Sequence, residues 1–374
     1  MKKEKIAGFD LVRAICTIGI VLFHYSFNFI EYRIAGEHIF FARFANGEWG
    51  NMFVAMFFML SGALLWYNHG ESFNLPMFYL KRWLSIFPMF YLAWFPAYLA
   101  KVQELGDWLW AGPRSKFLYT VFGMDGYFMQ LDPSKPNFNV NYYTLGEWFL
   151  GAIIILYVAF PALWLLFRRY NVTGTVIRHI FTVVLIAAFC ANLYYDWWQM
   201  PAGKNLITCF LDFWAGMLLM EYYGKRLNKD CVKNIKKRIT IFGGLFLFVA
   251  FFVPLGIEMN NVVSSLIVGA VFFVVLLNIS DAVMRWKLPS IIIKYVSRWS
   301  FGVFLVHHVL IYAVMKQFEN GSMSYIGSVG MFFVMLFIIM AAGGALSEIG
   351  NLITRWVLKL VAILGEKIKR PRID

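Results

Sequence analysis

Long apolar segments alternate with short polar segments along almost the whole chain. About ten segments approach or exceed the roughly 20 apolar residues that a helix needs to cross the hydrocarbon core. The apolar runs are continuous, whereas strands of a membrane barrel alternate apolar and polar residues. The pattern predicts an all-α, polytopic membrane bundle of about ten transmembrane helices. The predicted spans are 7–30, 49–67, 83–102, 143–167, 177–195, 205–222, 239–257, 261–281, 295–315 and 327–361.

Composition supports this membrane class. Hydrophobic residues make up 60% of the 374 residues and charged residues 15%, with a mean hydropathy of +0.64. A soluble domain has about 45–50% apolar and about 25% charged residues. The first apolar segment is too long for a cleavable signal peptide, so we interpret it as a retained span. The four cysteines form no Cys-x-x-Cys pair, which favours neither structural disulfides nor a cysteine metal site.

The distribution of the net charge of +13 matches the predicted membrane topology and does not indicate a nucleic-acid-binding surface. If the N-terminus is cytoplasmic, 25 of the 34 Lys and Arg residues lie on that side and 8 on the other. Cytoplasmic loops of membrane proteins carry such an excess of positive charge. We therefore expect both termini in the cytoplasm, contacts of basic loops with anionic lipids, and no nucleic-acid partner.

The pattern favours one integral-membrane domain over 1–374. The longest polar segment, at about 103–142, is rich in Trp, Tyr and Phe, unlike a disordered tail. We expect an ordered extracytoplasmic loop with a short helix, packed over the bundle. Its aromatic residues would suit a sugar or an interfacial lipid, and an interfacial aromatic belt is an equally good interpretation.

Two ionisable residues lie inside the first predicted span, Arg13 and His24. Charged or titratable residues are costly in a bilayer, so they are candidates for function. Eleven residues correspond to about 1100° of rotation, roughly 20° from three full turns, so both side chains project from one helix face. Their separation along the axis is roughly 16 Å. A snorkelling arginine and a packed histidine form the structural alternative.

A deep histidine could act as a general base, orient a thioester or carry an acyl group. It would need a partner for its second ring nitrogen, and Glu147 or Asp212 could supply one. We therefore group His24 and Glu147 as candidate catalytic residues. Asp212, His307 and His308 also lie within spans, and we assign them to substrate binding. No residue pattern suggests a metal site.

Basic residues at the start of the third span are candidates for binding a phosphorylated cofactor. Lys81 and Arg82 lie at the same predicted membrane face as Arg13. Guanidinium groups bind phosphates bidentately, as a coenzyme A nucleotide would require. Such a pair at a span entry is also a common topology determinant. In the second span, the small residues 61–63 predict close helix packing, which would let this span approach the first.

These segments resemble the membrane-bound acyltransferase-3 family. The first span has the family's Asp-x-x-Arg start and Arg-x10-His spacing, and the later motifs follow in the family's order. Many members carry a second arginine three residues after Arg82, where this chain has Ser85. The segments that carry the resemblance are "FDLVRAICTIGIVLFH", "FFMLSGALL", "FYLKRWLSIFP", "YTLGEWFLGAIIILYVAFP" and "SFGVFLVHHVLI".

The resemblance implies a multi-pass enzyme of the bacterial inner membrane that transfers an acyl group, usually acetyl, from cytoplasmic acyl-CoA. The acceptor would be a hydroxyl of an envelope carbohydrate or lipid-linked sugar. Carried over to this chain, Arg13 and His24 match the essential pair, and Arg82 matches the third-span arginine. The chain shows no soluble esterase-like segment after the last span, so we expect transfer within the membrane part or on a separate protein. A homo-oligomer is compatible with the sequence.

The sequence is also compatible with a different class of function. Ten spans with intramembrane His, Glu and Asp would also suit a proton-coupled transporter or flippase of an envelope precursor. No paired halves with matching broken helices are visible, which weighs against that interpretation. A membrane sensor or scaffold is a third interpretation. A transporter would bind or move its substrate without consuming acyl-CoA, and this difference separates the first two.

Overall fold

The computed structural model describes residues 6–70, 73–110, 114–131, 148–168, 172–195, 200–226, 232–256 and 260–369. Within these ranges the chain forms twelve α-helices and one two-stranded antiparallel hairpin, β1 (Arg43–Phe44) and β2 (Gly47–Glu48). The helices are α1 (Ala7–Glu31), α2 (Trp49–His69), α3 (Leu75–Leu105), α4 (Arg114–Val121), α5 (Asp125–Gln130), α6 (Trp148–Arg168), α7 (Val172–Tyr195), α8 (Leu206–Arg226), α9 (Val232–Phe252), α10 (Asn261–Met284), α11 (Lys287–Met315) and α12 (Tyr325–Lys369).

The predicted all-α membrane fold is confirmed. Among the described residues, eight helices are long and apolar enough to cross a membrane: α1, α2, α3, α6, α7, α10, α11 and α12. Helices α8 and α9, each of 21 residues, overlap the other two predicted spans. Both carry charged residues toward one end, so they are less uniformly apolar than the other eight. The cytoplasmic placement of the termini remains a prediction.

Helix α2 packs against α1, α8 and α10. It approaches α8 closely because glycines face backbone on both helices. A Cβ atom at Gly62 would overlap the carbonyl of Phe213, and one at Gly216 would overlap the carbonyl of Met59. Gly62 therefore permits the close approach of α2 to α8, and not to α1 as expected from the sequence. The close contact between α1 and α2 forms instead where Gly19 meets the ring of Phe53.

Helix α11 packs against α1 and α12, so α1 lies between α2 and α11. Glycines again permit the close approach, since Gly302 of α11 faces the backbone of Gly343 in α12. The Tyr25 hydroxyl of α1 donates a hydrogen bond of 2.8 Å to the carbonyl of Ser328 in α12. This packing directs the inner face of α1 toward both α2 and α11.

Helix α3 contains an internal proline, Pro88, and α12 satisfies the carbonyl that this proline frees. Pro88 has no N–H for the carbonyl four residues earlier, which is Leu84. The Thr354 hydroxyl of α12 donates to this carbonyl at 2.8 Å. In a membrane helix such a freed backbone group needs a partner from a neighbouring helix. The bond fixes α3 against α12 at the level of Ser85, which lines the cavity described below.

The segment at about 103–142 contains α4 and α5 in its described part. The Thr120 hydroxyl donates to the Asp125 carboxylate at 2.7 Å, and Tyr91 of α3 donates to the carbonyl of Val121 at 2.8 Å. Helix α5 packs against α6. Residues 132–142 lie outside the described residues. The extracytoplasmic side of this segment and the single-domain organisation remain predictions.

The close approach of α2 and α8 predicts a position-specific loss of stability in Gly216→Val. The new side chain must push apart two helix backbones, and overpacking typically costs about 1–3 kcal/mol. We expect a lower thermal unfolding midpoint in detergent. Gly244→Val in α9 is the matched control, because a Cβ at Gly244 would meet no atom within 4 Å. Equal midpoints for the two variants would contradict this packing account.

The positive charge distribution predicts that a reporter joined to the C-terminus stays in the cytoplasm. We expect a C-terminal fluorescent protein to be bright and a C-terminal alkaline phosphatase to be inactive. A phosphatase joined after Asn320, between α11 and α12, should be active. The reverse pattern at the two positions would show that the orientation is inverted.

Candidate active site

A cavity of about 340 Å³ lies among α1, α2, α3, α6 and α11. Arg13 and His24 both line it, so the two α1 residues share one internal space. The wall between them is mainly apolar and includes Val54, Phe57 and Phe304. The cavity therefore has a cationic group toward one end, imidazoles toward the other, and an apolar passage between them.

Three histidines form the imidazole end. The ring of His24 in α1 lies 3.9 Å from the ring of His308 and 5.2 Å from that of His307, measured between centroids. The two α11 rings are 4.7 Å apart. His307 is buried, and its Nδ1 lies 2.7 Å from the carbonyl oxygen of Phe304. Since a carbonyl only accepts, Nδ1 carries the proton in this bond.

The histidine cluster also has to be considered as a metal site. One nitrogen from each ring lies within 4.8 Å of the other two, and imidazole is a common zinc ligand. Zinc–nitrogen bonds of about 2.0–2.1 Å would require the three nitrogens to converge on one point. We assign no metal here, and the expectation of a metal-free site remains a prediction.

A hydrogen-bonded chain supports the arginine end. The Arg13 guanidinium donates through Nη1 to the Ser297 hydroxyl at 3.3 Å. That hydroxyl in turn donates to the carboxylate of Asp10 at 2.8 Å. Burial of a cation is costly without such partners. Asp10, one helical turn before Arg13, is itself buried, so the Asp-x-x-Arg spacing provides the countercharge for this site.

The structure separates the two basic residues at the start of the third span. The guanidinium carbon of Arg82 lies 5.6 Å from the ring centroid of Tyr157, a residue of the cavity wall. Its Nε is buried and makes no hydrogen bond to any described residue. Arg82 itself is not among the residues that line the cavity and stands beside the wall residue Tyr157. Lys81 is exposed and does not line the cavity.

Neither of the two carboxylates predicted to partner His24 is observed beside it in the described structure. Glu147 lies outside the described residues. Asp212 is buried in α8, the helix that packs against α2, and is not among the residues that line the cavity. Among the described residues, the ring neighbours of His24 include Phe23, His307 and His308. The roles assigned to Glu147 and Asp212 therefore remain predictions.

Sequence reasoning assigned no role to several polar side chains of the cavity wall, among them Tyr157, Ser297 and Arg298. Hydroxyl groups are common in membrane spans, so Tyr157 and Ser297 carry no distinguishing signal of their own. Arg298 was recognisable as a charge at the edge of a span but had no assigned role. The available signal was its distance from His308, which is almost the spacing between Arg13 and His24.

Comparison with known proteins supports the resemblance. The family model described as "Acyltransferase domain", of the acyltransferase-3 type, matches residues 6–348. Neither the curated proteins nor the solved structures include a significant match. The matched range contains the cavity and both of its polar ends. Because the family model covers nearly the whole of a chain that folds as a membrane bundle, this chain belongs to the acyltransferase-3 family of membrane acyltransferases.

Proposed function

We propose that this protein transfers an acyl group, acetyl in the first instance, from cytoplasmic acyl-CoA to a carbohydrate hydroxyl. One observation carries the proposal: a single cavity is lined by Arg13 toward one end and His24 toward the other. This arrangement suits a donor with a charged head and a reactive thioester at the far end of a flexible arm. Family membership supports acyl transfer over transport.

The arginine end is proposed to hold the phosphates of acyl-CoA. Arg13 and Arg82 lie within electrostatic range of each other, so together they would attract a polyanion. Charge-assisted contacts to phosphate are stronger than neutral hydrogen bonds. Exposed Lys81 would act from outside the cavity by attracting the donor rather than by contacting it inside. The positive-inside charge pattern supports a cytoplasmic position for this end.

The apolar passage is proposed to hold the pantetheine arm and direct the thioester to His24. The rise from Arg13 to His24 is roughly 16 Å along α1, a distance that an extended arm can span. Phe149 and Phe304, with ring centroids 5.4 Å apart, form part of this passage. Their apolar surface would exclude water, which would otherwise hydrolyse the thioester.

His24 is proposed to act as the general base. It accepts the proton of the acceptor hydroxyl while the hydroxyl oxygen attacks the thioester carbonyl. The carbon–sulfur bond breaks, and the departing coenzyme A thiolate takes up a proton. In the alternative route, the His24 nitrogen first accepts the acyl group and then passes it to the hydroxyl. His307 and His308 would bind and orient the acceptor beside His24, and Glu147 retains its proposed catalytic role.

The acceptor is proposed to be an envelope carbohydrate or a lipid-linked sugar that approaches from the extracytoplasmic side of a bacterial inner membrane. The aromatic segment at about 103–142 would cover this side. A donor from the cytoplasm and an acceptor from outside would then meet at the histidines, within the bundle. Asp212 would contribute to acceptor binding through the α8 side of the bundle.

The proposed role of His24 predicts loss of acyl transfer in His24→Ala without loss of folding. We expect acyl-CoA turnover by the purified protein in nanodiscs to fall at least 100-fold, the usual contribution of a general base being about 10²–10⁴-fold. His179→Ala is the matched control, because His179 is exposed on α7 and does not line the cavity. Full transfer by a folded His24→Ala protein would contradict the mechanism. Acceptor movement without acyl-CoA consumption would favour a transporter.

The proposed phosphate contact predicts weaker acyl-CoA binding in Arg82→Ala. Loss of a charge-assisted hydrogen bond costs about 1.5–3 kcal/mol, equivalent to roughly a 10- to 150-fold higher Kd. Arg168→Ala is the control. Arg168 also stacks on an aromatic ring, with its guanidinium carbon 4.9 Å from the Trp164 centroid, but Trp164, unlike Tyr157, is not part of the cavity wall. Unchanged acyl-CoA affinity in Arg82→Ala, measured by calorimetry, would remove Arg82 from the donor site.

A further inference from the structure

Helix α11 carries an arginine and a histidine at nearly the spacing found in α1. Arg13 precedes His24 by eleven residues, and Arg298 precedes His308 by ten. All four side chains line the same cavity, and the two histidines are in contact at 3.9 Å between ring centroids. Ten residues of helix rise about 15 Å. Arg298 therefore lies about as far from the histidine cluster along α11 as Arg13 does along α1.

A hydrogen bond links α1 and α11 at the arginine end of the cavity. Arg13 donates to the hydroxyl of Ser297, the residue before Arg298. This bond places the backbone of Arg298 beside the arginine end of the cavity. Arg298 thus brings a third guanidinium to the end where Arg13 and Arg82 lie, each from a different helix.

Glu348 of α12 holds Arg298 in place. Its carboxylate accepts a hydrogen bond from the Arg298 guanidinium and a second, of 2.9 Å, from the indole N–H of Trp299. The side chains of Arg298 and Glu348 are 48% and 40% exposed, and ion pairs this exposed contribute little to stability. Two donors from adjacent residues on one carboxylate do, however, restrict the direction of the guanidinium. The bond to Glu348 uses the Nη2 group of Arg298, so other N–H groups of the guanidinium can bind an anion.

We infer that Arg298 binds a phosphate of the acyl donor, with Glu348 as its positioning residue. This inference rests on the proposed function, because it assigns a further contact to the same donor site. The ligand chemistry is a phosphate monoester or diphosphate, which a guanidinium fork binds bidentately. A phospholipid headgroup at the same membrane face has the same chemistry, so the test must separate the two sources.

The experiment compares wild type with Arg298→Gln in nanodiscs of neutral phosphatidylcholine and uses coenzyme A as the calorimetric probe. We expect at least a tenfold higher Kd in the variant, and a higher KM for acetyl-CoA with kcat nearly unchanged. S-acetylpantetheine, which lacks the nucleotide phosphates, should be used equally well by both proteins. Lys294→Gln is the matched control, since Lys294 is exposed one turn earlier on α11 and does not line the cavity.

The positioning role of Glu348 is tested by a double-mutant cycle. Glu348→Gln should raise the Kd for coenzyme A by a smaller factor than Arg298→Gln does. In the Arg298→Gln background, Glu348→Gln should add nothing, because no guanidinium remains to be positioned. Additive effects of the two substitutions would show that Glu348 acts through the packing of α11 and α12 and would overturn its assigned role.

The remaining outcomes separate this inference from the proposed function. If wild type binds coenzyme A and Arg298→Gln binds it equally well, the inference is wrong and the proposed function stands. If Arg298→Gln instead loses only bound phosphatidylglycerol in anionic nanodiscs, Arg298 is a lipid contact and the inference is again wrong. If wild type binds no coenzyme A, both the inference and the proposed donor site are wrong.

Discussion

The hydrogen-bonded chain from Asp10 through Ser297 to Arg13 is the interaction on which the site depends. A guanidinium inside an apolar bundle is costly unless it finds a counterion and hydrogen-bond acceptors. Here the carboxylate comes from α1 and the hydroxyl from α11. The bond therefore fixes the position of α1 relative to α11 along their axes. Because the arginine-to-histidine spacings of the two helices are almost equal, His24 and His308 then come into contact.

The surrounding helices hold this pair of helices at one distance and provide the cavity wall. Close backbone contacts at Gly62 and Gly216 join α2 to α8, and Gly302 joins α11 to α12. Close approach through small residues is how membrane helices gain packing energy without a hydrophobic driving force. The proline of α3 frees a carbonyl that Thr354 of α12 satisfies. A wall fixed in these ways can keep an internal space open between a cationic and an imidazole end.

The helices were largely predictable from the sequence, and the contacts between them were not. Length and apolar continuity suffice to place a span, because the bilayer imposes both. The common face of Arg13 and His24 followed from helix periodicity alone. The partners of His24 did not, because pairing between helices depends on packing that one helix cannot encode. The sequence suggested Glu147 or Asp212, whereas the described structure places His307 and His308 beside His24. Gly62 was correctly interpreted as a packing residue, yet its partner helix is α8 rather than α1.

The central claim is that one donor molecule spans the cavity, with its phosphates at the arginines and its thioester at the histidines. An experimental structure of the protein in nanodiscs, with a non-reactive thioether analogue of acetyl-CoA, tests it most directly. The account predicts phosphate density beside Arg13 and Arg82, with the sulfur of the analogue within contact distance of His24. A nucleotide bound on another surface, or a sulfur far from all three histidines, would contradict it.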